Sequence, residues 1–137
     1  MAIRSCLPYN KGMAVMDLIF GDVHYTLGFG NKNAFLGIAG NLCGKNAERL
    51  RHAFAKIAQR LKGRLFVSLD GLKTLDSLAI ALFLQQKKVL AALNCEIVLV
   101  DVPEPILLIL NKTDLNSVFE ILPTRQEAEL KYGYALN

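Results

Sequence analysis

The chain has 137 residues, within the range of roughly 100–150 at which a single hydrophobic core makes a single domain. With 53% hydrophobic and 20% charged residues, and 10 Gly and 4 Pro in no repeat, it is neither disordered nor collagen-like nor of low complexity. Its net charge of +4, from 16 Lys and Arg against 12 Asp and Glu, is a small surplus that bears on partners only where it clusters.

Pro8 and the Asn10-Lys11-Gly12 cluster break regular structure, whereas Met13-Ala-Val-Met-Asp-Leu-Ile-Phe20 is apolar enough to pack on something. Residues 1–20 are therefore expected to be an N-terminal accessory segment without chemistry, and 21–137 the domain proper. Val23-His-Tyr-Thr-Leu-Gly-Phe29 alternates at period two and is rich in β-branched and aromatic residues. The turn cluster Gly30-Asn31-Lys32-Asn33 follows, with Gly30 and Asn31 suited to positive φ, and Ala34 to Ala39 completes a hairpin. Then the period changes. Leu50, Phe54, Ile57 and Leu61 predict an amphipathic helix that stops at Gly63.

Arg64 to Leu69 reads as a short buried strand, turned by Asp70-Gly71. A second helix opens near Asp76-Ser77, carries Leu78, Leu82, Val89 and Leu93, and ends near Asn94. Cys95 to Val100 is a continuous apolar strand, and Pro103 and Pro105 start a short helix over Ile106–Leu110. Val118 to Leu122 is a last strand. Thr124 precedes Glu127 at the capping-box spacing, so a final helix runs from Arg125 to Tyr132. The order predicts an α/β fold: a mixed sheet of one hairpin plus parallel strands, with helices mainly on one face.

No phosphate-binding loop, nucleophile elbow or zinc-protease motif is present, and Gly28-Phe-Gly30 lies in a hairpin turn instead of a strand-to-helix turn. His24 and His52 have no second ligand at metal spacing, so no metal or cofactor is expected. The cysteines Cys6, Cys43 and Cys95 are three and widely separated, as reduced thiols in a cytoplasmic protein are. No apolar run reaches the roughly 18 residues that span a bilayer, so direct membrane insertion is not expected. Lys45, Arg49, Arg51, Lys56, Arg60, Lys62 and Arg64 gather on the first helix and its exit. They form a solvated face or an electrostatic contact with an acidic partner. Without interleaved aromatics they do not indicate single-strand nucleic-acid binding. The apolar surplus predicts self-association, as a homodimer, or a tightly held partner, through Met13–Phe20 or an exposed sheet face.

The most informative stretch is Ser68-Leu-Asp-Gly-Leu-Lys-Thr-Leu-Asp-Ser-Leu-Ala-Ile80, a strand, a loop and a helix start. Asp76 and Ser77 sit where a helix N-terminus offers free N–H groups to a capping oxygen or a phosphate. The segment resembles the signature of STAS domains, the fold of anti-sigma-factor antagonists, commonly written D-L-S-G-V-x-x-I-D-S-S-G-L. Asp76-Ser77 matches its D-S core, Gly71 its loop glycine, and Leu72 and Leu75 its apolar positions. Ala39 to Leu42, Val98 to Pro103, and Leu110 to Ile121 resemble other parts of the family pattern, so the likeness spans Val23 to about Leu130. Three departures stand out: Ser68 replaces the strand-end aspartate, and Leu78 and Ala79 replace a serine and a glycine.

The resemblance implies a regulatory protein-binding module and no enzyme. Ser77 would be the phosphoacceptor, with Asp76 orienting the loop and Asn41, Leu42, Asp70 and Leu78 forming the partner-binding rim. The partners it implies are an anti-sigma factor resembling a serine kinase, and a phosphatase. The departures at Leu78 and Ala79 lean toward a second reading, a constitutive STAS subunit of a lipid ABC transporter or of a signalling scaffold. A nucleotide-binding module is a third, unsupported by any Gly-rich loop.

Overall fold

Six strands pair in chain order, and the computed structural model describes residues 14–30 and 32–132 of the chain. The strands are β1 (Ala14–Phe20), β2 (Val23–Phe29), β3 (Ala34–Leu42), β4 (Arg64–Leu75), β5 (Glu96–Val100) and β6 (Glu120–Leu122). β1, β2 and β3 form an antiparallel meander, and β3 to β6 are mutually parallel. Parallel neighbours need crossovers, and helices supply them. α1 (Lys45–Glu48) and α2 (Leu50–Ala58) join β3 to β4, and α3 (Ser77–Ala92) joins β4 to β5. α4 (Glu104–Lys112) with a 3-10 turn at Leu115–Ser117 joins β5 to β6, and α5 (Arg125–Tyr132) ends the described chain.

Strand alternation sends Val23, Tyr25, Leu27, Leu36, Ile38, Leu65, Val67, Ile97 and Leu99 to one face. There they meet Leu50, Ala53, Phe54 and Ile57 of α2, Ala79, Leu82, Phe83 and Leu90 of α3, and Ile106 and Leu110 of α4. Leu50, Phe54, Ile57 and Leu61 are all buried, as their spacing requires. The opposite face holds a smaller cluster of Phe35, Phe66, Val98 and Val100 under Ala128 of α5. Most helices thus lie on one face and α5 on the other. The α5 start is held by its expected cap, Glu127 N–H to Thr124 Oγ1 at 3.2 Å, and by Arg125, whose Nε donates to Asp101 Oδ2 at 2.7 Å. Its end is held by Lys131 and Tyr132, both hydrogen-bonded to Glu120. Burial works to raise the Glu120 carboxyl, and these hydrogen bonds overcome it and hold the group below its ordinary range.

The structure corrects the sequence reading in four places. Of residues 1–20, the stretch Ala14–Phe20 is an edge strand paired with β2 over seven positions, while 1–13 lie outside the described residues. A two-residue turn at Gly21-Asp22 makes that pairing local, with Gly21 at φ 63°. The first helix is interrupted at Arg49 and ends at Ala58, although Leu61 still packs inward. The strand expected to turn at Asp70-Gly71 continues to Leu75, because a bulge absorbs the irregularity. On α3, the stripe Leu78, Val89 and Leu93 faces solvent, and Ala79, Phe83 and Leu90 take the core side with Leu82. The turn between β2 and β3 is closed by Gly30 N–H to Asn33 O at 2.9 Å; Gly30 is not among the glycines with positive φ, and the expectation for Asn31 lies outside the described residues.

Two glycines allow the carboxyl end of β3 to keep its neighbours, Gly71 on the β4 side and Gly40 on the side of the β1–β2 turn. A Cβ on Gly71 would stand 2.7 Å from the Ala39 Cβ, and one on Gly40 only 2.1 Å from the Asp22 carbonyl oxygen. Gly40 also has φ +105°, a conformation L side chains rarely adopt. Gly40→Ala is expected to lose at least about 2 kcal/mol of unfolding free energy through strain and backbone clash. Urea unfolding checks this, and a variant within about 0.5 kcal/mol of the parent would contradict the geometry.

Candidate functional site

The β3 and β4 carboxyl ends, the β1–β2 turn and the α3 N-terminus converge on one polar cluster. Its centre is Asp76. This residue is the N-cap of α3, and Oδ1 accepts from the Ala79 N–H at 2.9 Å, three residues into the chain as a capping oxygen should. Its other oxygen, Oδ2, accepts from the Gly44 N–H at 3.0 Å, so one carboxylate ties α3 to the loop that opens α1. The Asp76 N–H in turn donates to the Leu42 carbonyl at 3.4 Å.

Asn41 carries the cluster sideways. Its Oδ1 accepts from Thr74 Oγ1 at 3.1 Å, and its Nδ2 donates to Asp22 Oδ2. Asn46 Nδ2 donates to the other Asp22 oxygen at 2.8 Å. Below them, the Tyr25 hydroxyl donates to the Asn46 carbonyl at 3.0 Å from within the core. Burial pushes this phenol well above its ordinary ionisation range. The β1–β2 turn, the β3–α1 loop, β4 and α3 are thereby joined by polar contacts through five side chains.

Ser77 is exposed at the first position of α3. Its hydroxyl has no hydrogen bond among the described residues; of the two residues placed at this helix start, Asp76 supplies the cap. The N–H groups of Ser77 and Leu78 are likewise without partners among the described residues, as the first helical N–H groups are. Leu78 is exposed beside it. No histidine or carboxylate hydrogen-bonds the Ser77 hydroxyl among the described residues, so nothing there is arranged to activate it as a nucleophile.

The rim expected from the sequence is brought together only in part. Asn41, Asp76, Ser77 and Leu78 share the site, Asn41 joining Asp76 through the β3–α1 loop. Leu42 is fully buried and contributes only its carbonyl. Asp70 is exposed on the bulge, with its N–H donated to Ser68 Oγ at 3.4 Å, away from the Asp76 cluster. Ser68 itself is buried and donates to Asp101 Oδ2 at 3.4 Å. Asp22, Gly44, Asn46 and Thr74 were not singled out from sequence. Each acts through a partner 19 or more residues away, and no local spacing signals such a contact.

Elsewhere, His24 Nε2 lies 2.8 Å from Asp17 Oδ1, and Thr26 Oγ1 donates to the same oxygen at 3.2 Å. Among the described residues no group of three or more His, Cys, Asp or Glu could hold a metal ion, and no helix is long and apolar enough to cross a membrane. Cys43 and Cys95 are free thiols, and Cys6 lies outside the described residues.

A family model described as STAS domain matches residues 30–128. No curated protein matches by sequence. Among solved structures, the chain is similar to an anti-sigma-factor antagonist (STAS) domain protein from Planctomyces limnophilus, with TM-score 0.69 and 16% identity over 80% of this chain and 97% of that one. It is also similar to the anti-sigma factor antagonist SpoIIAA in its unphosphorylated form, with TM-score 0.65 and 14% identity over 89% of this chain and 99% of that one. The Bacillus cell fate determinant SpoIIAA in its phosphorylated form gives TM-score 0.58 and 15% identity over 87% and 99%. At these identities the structural likenesses establish the fold.

Two measurements probe the cluster. Asp76→Ala removes both the cap and the Gly44 contact and is expected to cost about 1–2 kcal/mol, whereas Ser77→Ala should stay within about 0.5 kcal/mol of the parent. Equal losses would mean that Ser77 shares the capping. The raised Tyr25 phenol keeps its proton in the folded state after the unfolded chain begins to lose it near pH 10. Its contribution is complete below that pH and falls as pH rises further. Tyr25→Phe should therefore flatten the decline in urea midpoint between about pH 9.5 and 11.5. An unchanged decline would show that Tyr25 ionises freely.

Proposed function

This chain belongs to the STAS domain family, and we propose that it is a regulatory protein-binding module of the anti-sigma-factor-antagonist kind, switched by phosphorylation of Ser77. The observation that carries the reading is the exposed, unengaged Ser77 hydroxyl at the start of α3, on a loop held in place by Asp76. A kinase can reach such a hydroxyl, and its modification breaks no hydrogen bond of the described fold. Phosphate there meets the positive end of a 16-residue helix and the unpartnered N–H groups of Ser77 and Leu78, so the folded state tolerates it.

The binding face is Asn41, Asp76, Ser77 and Leu78. Unmodified, it offers a small hydroxyl beside an apolar side chain, a surface that a partner can cover at little desolvation cost. A phosphate adds about −1.5 to −2 charges and three acceptor oxygens, which an apolar contact cannot desolvate cheaply. The partner in this reading is an anti-sigma factor with serine kinase character, and a phosphatase resets the switch, both acting in the cytoplasm. The chain supplies recognition and the acceptor hydroxyl, and the partner supplies the catalysis.

A second reading is favoured by particular residues. Leu78 and Ala79 depart from the family's serine and glycine, and Leu78, Val89 and Leu93 expose apolar surface along α3. These suit a constitutive subunit of a lipid transporter or a scaffold. The two readings part at Ser77. With the switch, Ser77→Asp loses the partner that Ser77→Ala retains, both at the parental melting temperature, and phosphoserine is found at position 77 by mass spectrometry. Equal retention of the partner by Ser77→Asp would sink the switch and leave the site to the constitutive reading.

A further inference from the structure

The charge of the molecule is concentrated in one segment. Residues 45–64 hold seven of the 16 Lys and Arg and one of the 12 acids, so this stretch carries +6 and the rest of the chain −2. Arg49, Lys56 and Arg60 are seven and four residues apart, share one flank of the helical segment, and are all exposed. Two stacking contacts fix where that flank points. The Arg49 guanidinium lies over the Phe20 ring at 4.9 Å, and the Arg60 guanidinium over the Phe29 ring at 4.4 Å.

Phe20 ends β1, and Phe29 pairs with Ala14 at its beginning. The helical segment therefore runs over β2, antiparallel to β1, with its cationic flank on the β1 side: Arg49 at the Phe20 end of β1 and Arg60 on the β2 residue opposite Ala14. At the helical rise the eleven steps from Arg49 to Arg60 cover about 16 Å, and the six strand steps from Ala14 to Phe20 about 20 Å, so the flank and the strand are of comparable length. Stacking also holds the two guanidiniums, leaving their in-plane N–H groups for a carboxylate.

β1 is in addition an unguarded edge. Among the described residues no strand pairs with its outer side, whereas the opposite edge, β6, is only three residues long. Short edges, Lys and Pro are what proteins use to protect an edge, and β1 has seven residues with neither Lys nor Pro. Its one charge, Asp17, is turned to the face away from α2 and bonded to His24 and Thr26. Met16 and Ile19 are exposed along it.

We propose that the outer edge of β1 and the cationic flank beside it together receive an extended acidic segment of a partner protein. The segment adds a strand to the sheet, and its alternate side chains place carboxylates against Arg49, Lys56 and Arg60. Charge selects this occupant over others. A second copy paired antiparallel through β1 would bring its own cationic flank against the first. The ends of the chain do not serve either, since residues 1–13 hold Arg4 and Lys11 and no acid, and 133–137 hold no charge. A bilayer would want large apolar side chains on the flank. The exposed positions of α2 and the turn after it are Arg51, His52, Ala55, Lys56, Gln59 and Arg60. The rail does not involve Ser77, so it stands or falls apart from the switch.

The test uses the full chain and a capped nonapeptide in which glutamate alternates with threonine and valine, with a lysine-for-glutamate peptide as control. Expected are binding of the glutamate peptide by calorimetry, weakening with salt, and slowed amide exchange in residues 14–20 on saturation. Lys56→Glu with Arg60→Glu should lower the affinity about tenfold or more at an unchanged circular dichroism spectrum, and Lys88→Glu with Lys112→Glu should not. Lys56→Gln with Arg60→Gln gives the same direction if the reversed charges unfold the chain. No binding at millimolar peptide, or equal binding of the lysine peptide, overturns the proposal. So does binding without protection of 14–20, which would make the flank a bare charge patch. Tighter, flank-dependent binding of a 20-base-pair duplex would reassign it to nucleic acid, and a dimer that protects 14–20 would give the edge to a second copy.

Discussion

β3 and β4 approach each other more closely at their carboxyl ends than side chains would permit, and the site is built on that approach. Gly71 lies against Ala39, and Gly40 passes the Asp22 carbonyl in a backbone conformation suited to glycine. Because the pair stays joined through Leu42 and Leu75, Asn41 comes opposite Thr74 and Asp76 arrives beside Gly44. A side chain at Gly71 would push β4 from β3, and one at Gly40 would push β3 from the β1–β2 turn, before those residues met. These close approaches thus do for the polar cluster what the apolar core does for the fold.

On that base, polar contacts divide the labour. Asp76 has both oxygens occupied in holding two elements together, and Asn41 and Asn46 share the two oxygens of Asp22. Ser77, by contrast, spends nothing on structure. A residue that holds the loop and an exposed, unbonded neighbour are complementary: the first preserves the shape of the surface, and a change at the second would leave that shape intact. Leu78 adds apolar area where a protein partner would desolvate it most readily.

Charge is arranged around the fold rather than through it. The core face is apolar, the second face is closed locally by α5 through Arg125 and Asp101, and the surplus of positive charge rides on α1 and α2 beside the open edge of the sheet. Arg49 and Arg60 use aromatic rings of β1 and β2 as seats, so the same side chains that shield those rings also give the flank its direction. The site around Ser77 and the edge of β1 are therefore different surfaces with different chemistry, joined through the Gly21-Asp22 turn and α1.

The sequence by itself determined the class of the fold. Period-two alternation in Val23–Phe29, the four-three-four spacing of Leu50 to Leu61, and the Thr124 and Glu127 capping pair are local signals, and each marks an element of the expected type, although the helix ends at Ala58, short of Leu61. Asp76-Ser77 as a helix start was legible for the same reason. Tertiary structure decided whatever depended on distant residues. α3 is apolar on more than one side, so only docking could choose Ala79, Phe83 and Leu90 over Leu78, Val89 and Leu93 for the core. Ala14–Phe20 could not declare itself a strand without β2 to pair with, and Asp70-Gly71 looked like a turn until Ala39 supplied a neighbour that only glycine admits. Leu42, expected at the rim, is buried, and Asp22, unmarked in the sequence, is bonded at the site, because burial and hydrogen bonding are set by which strands lie side by side. Periodicity and capping act within a few residues and can be read along the chain, whereas register, bulges and side-chain networks come into being only when separated segments meet.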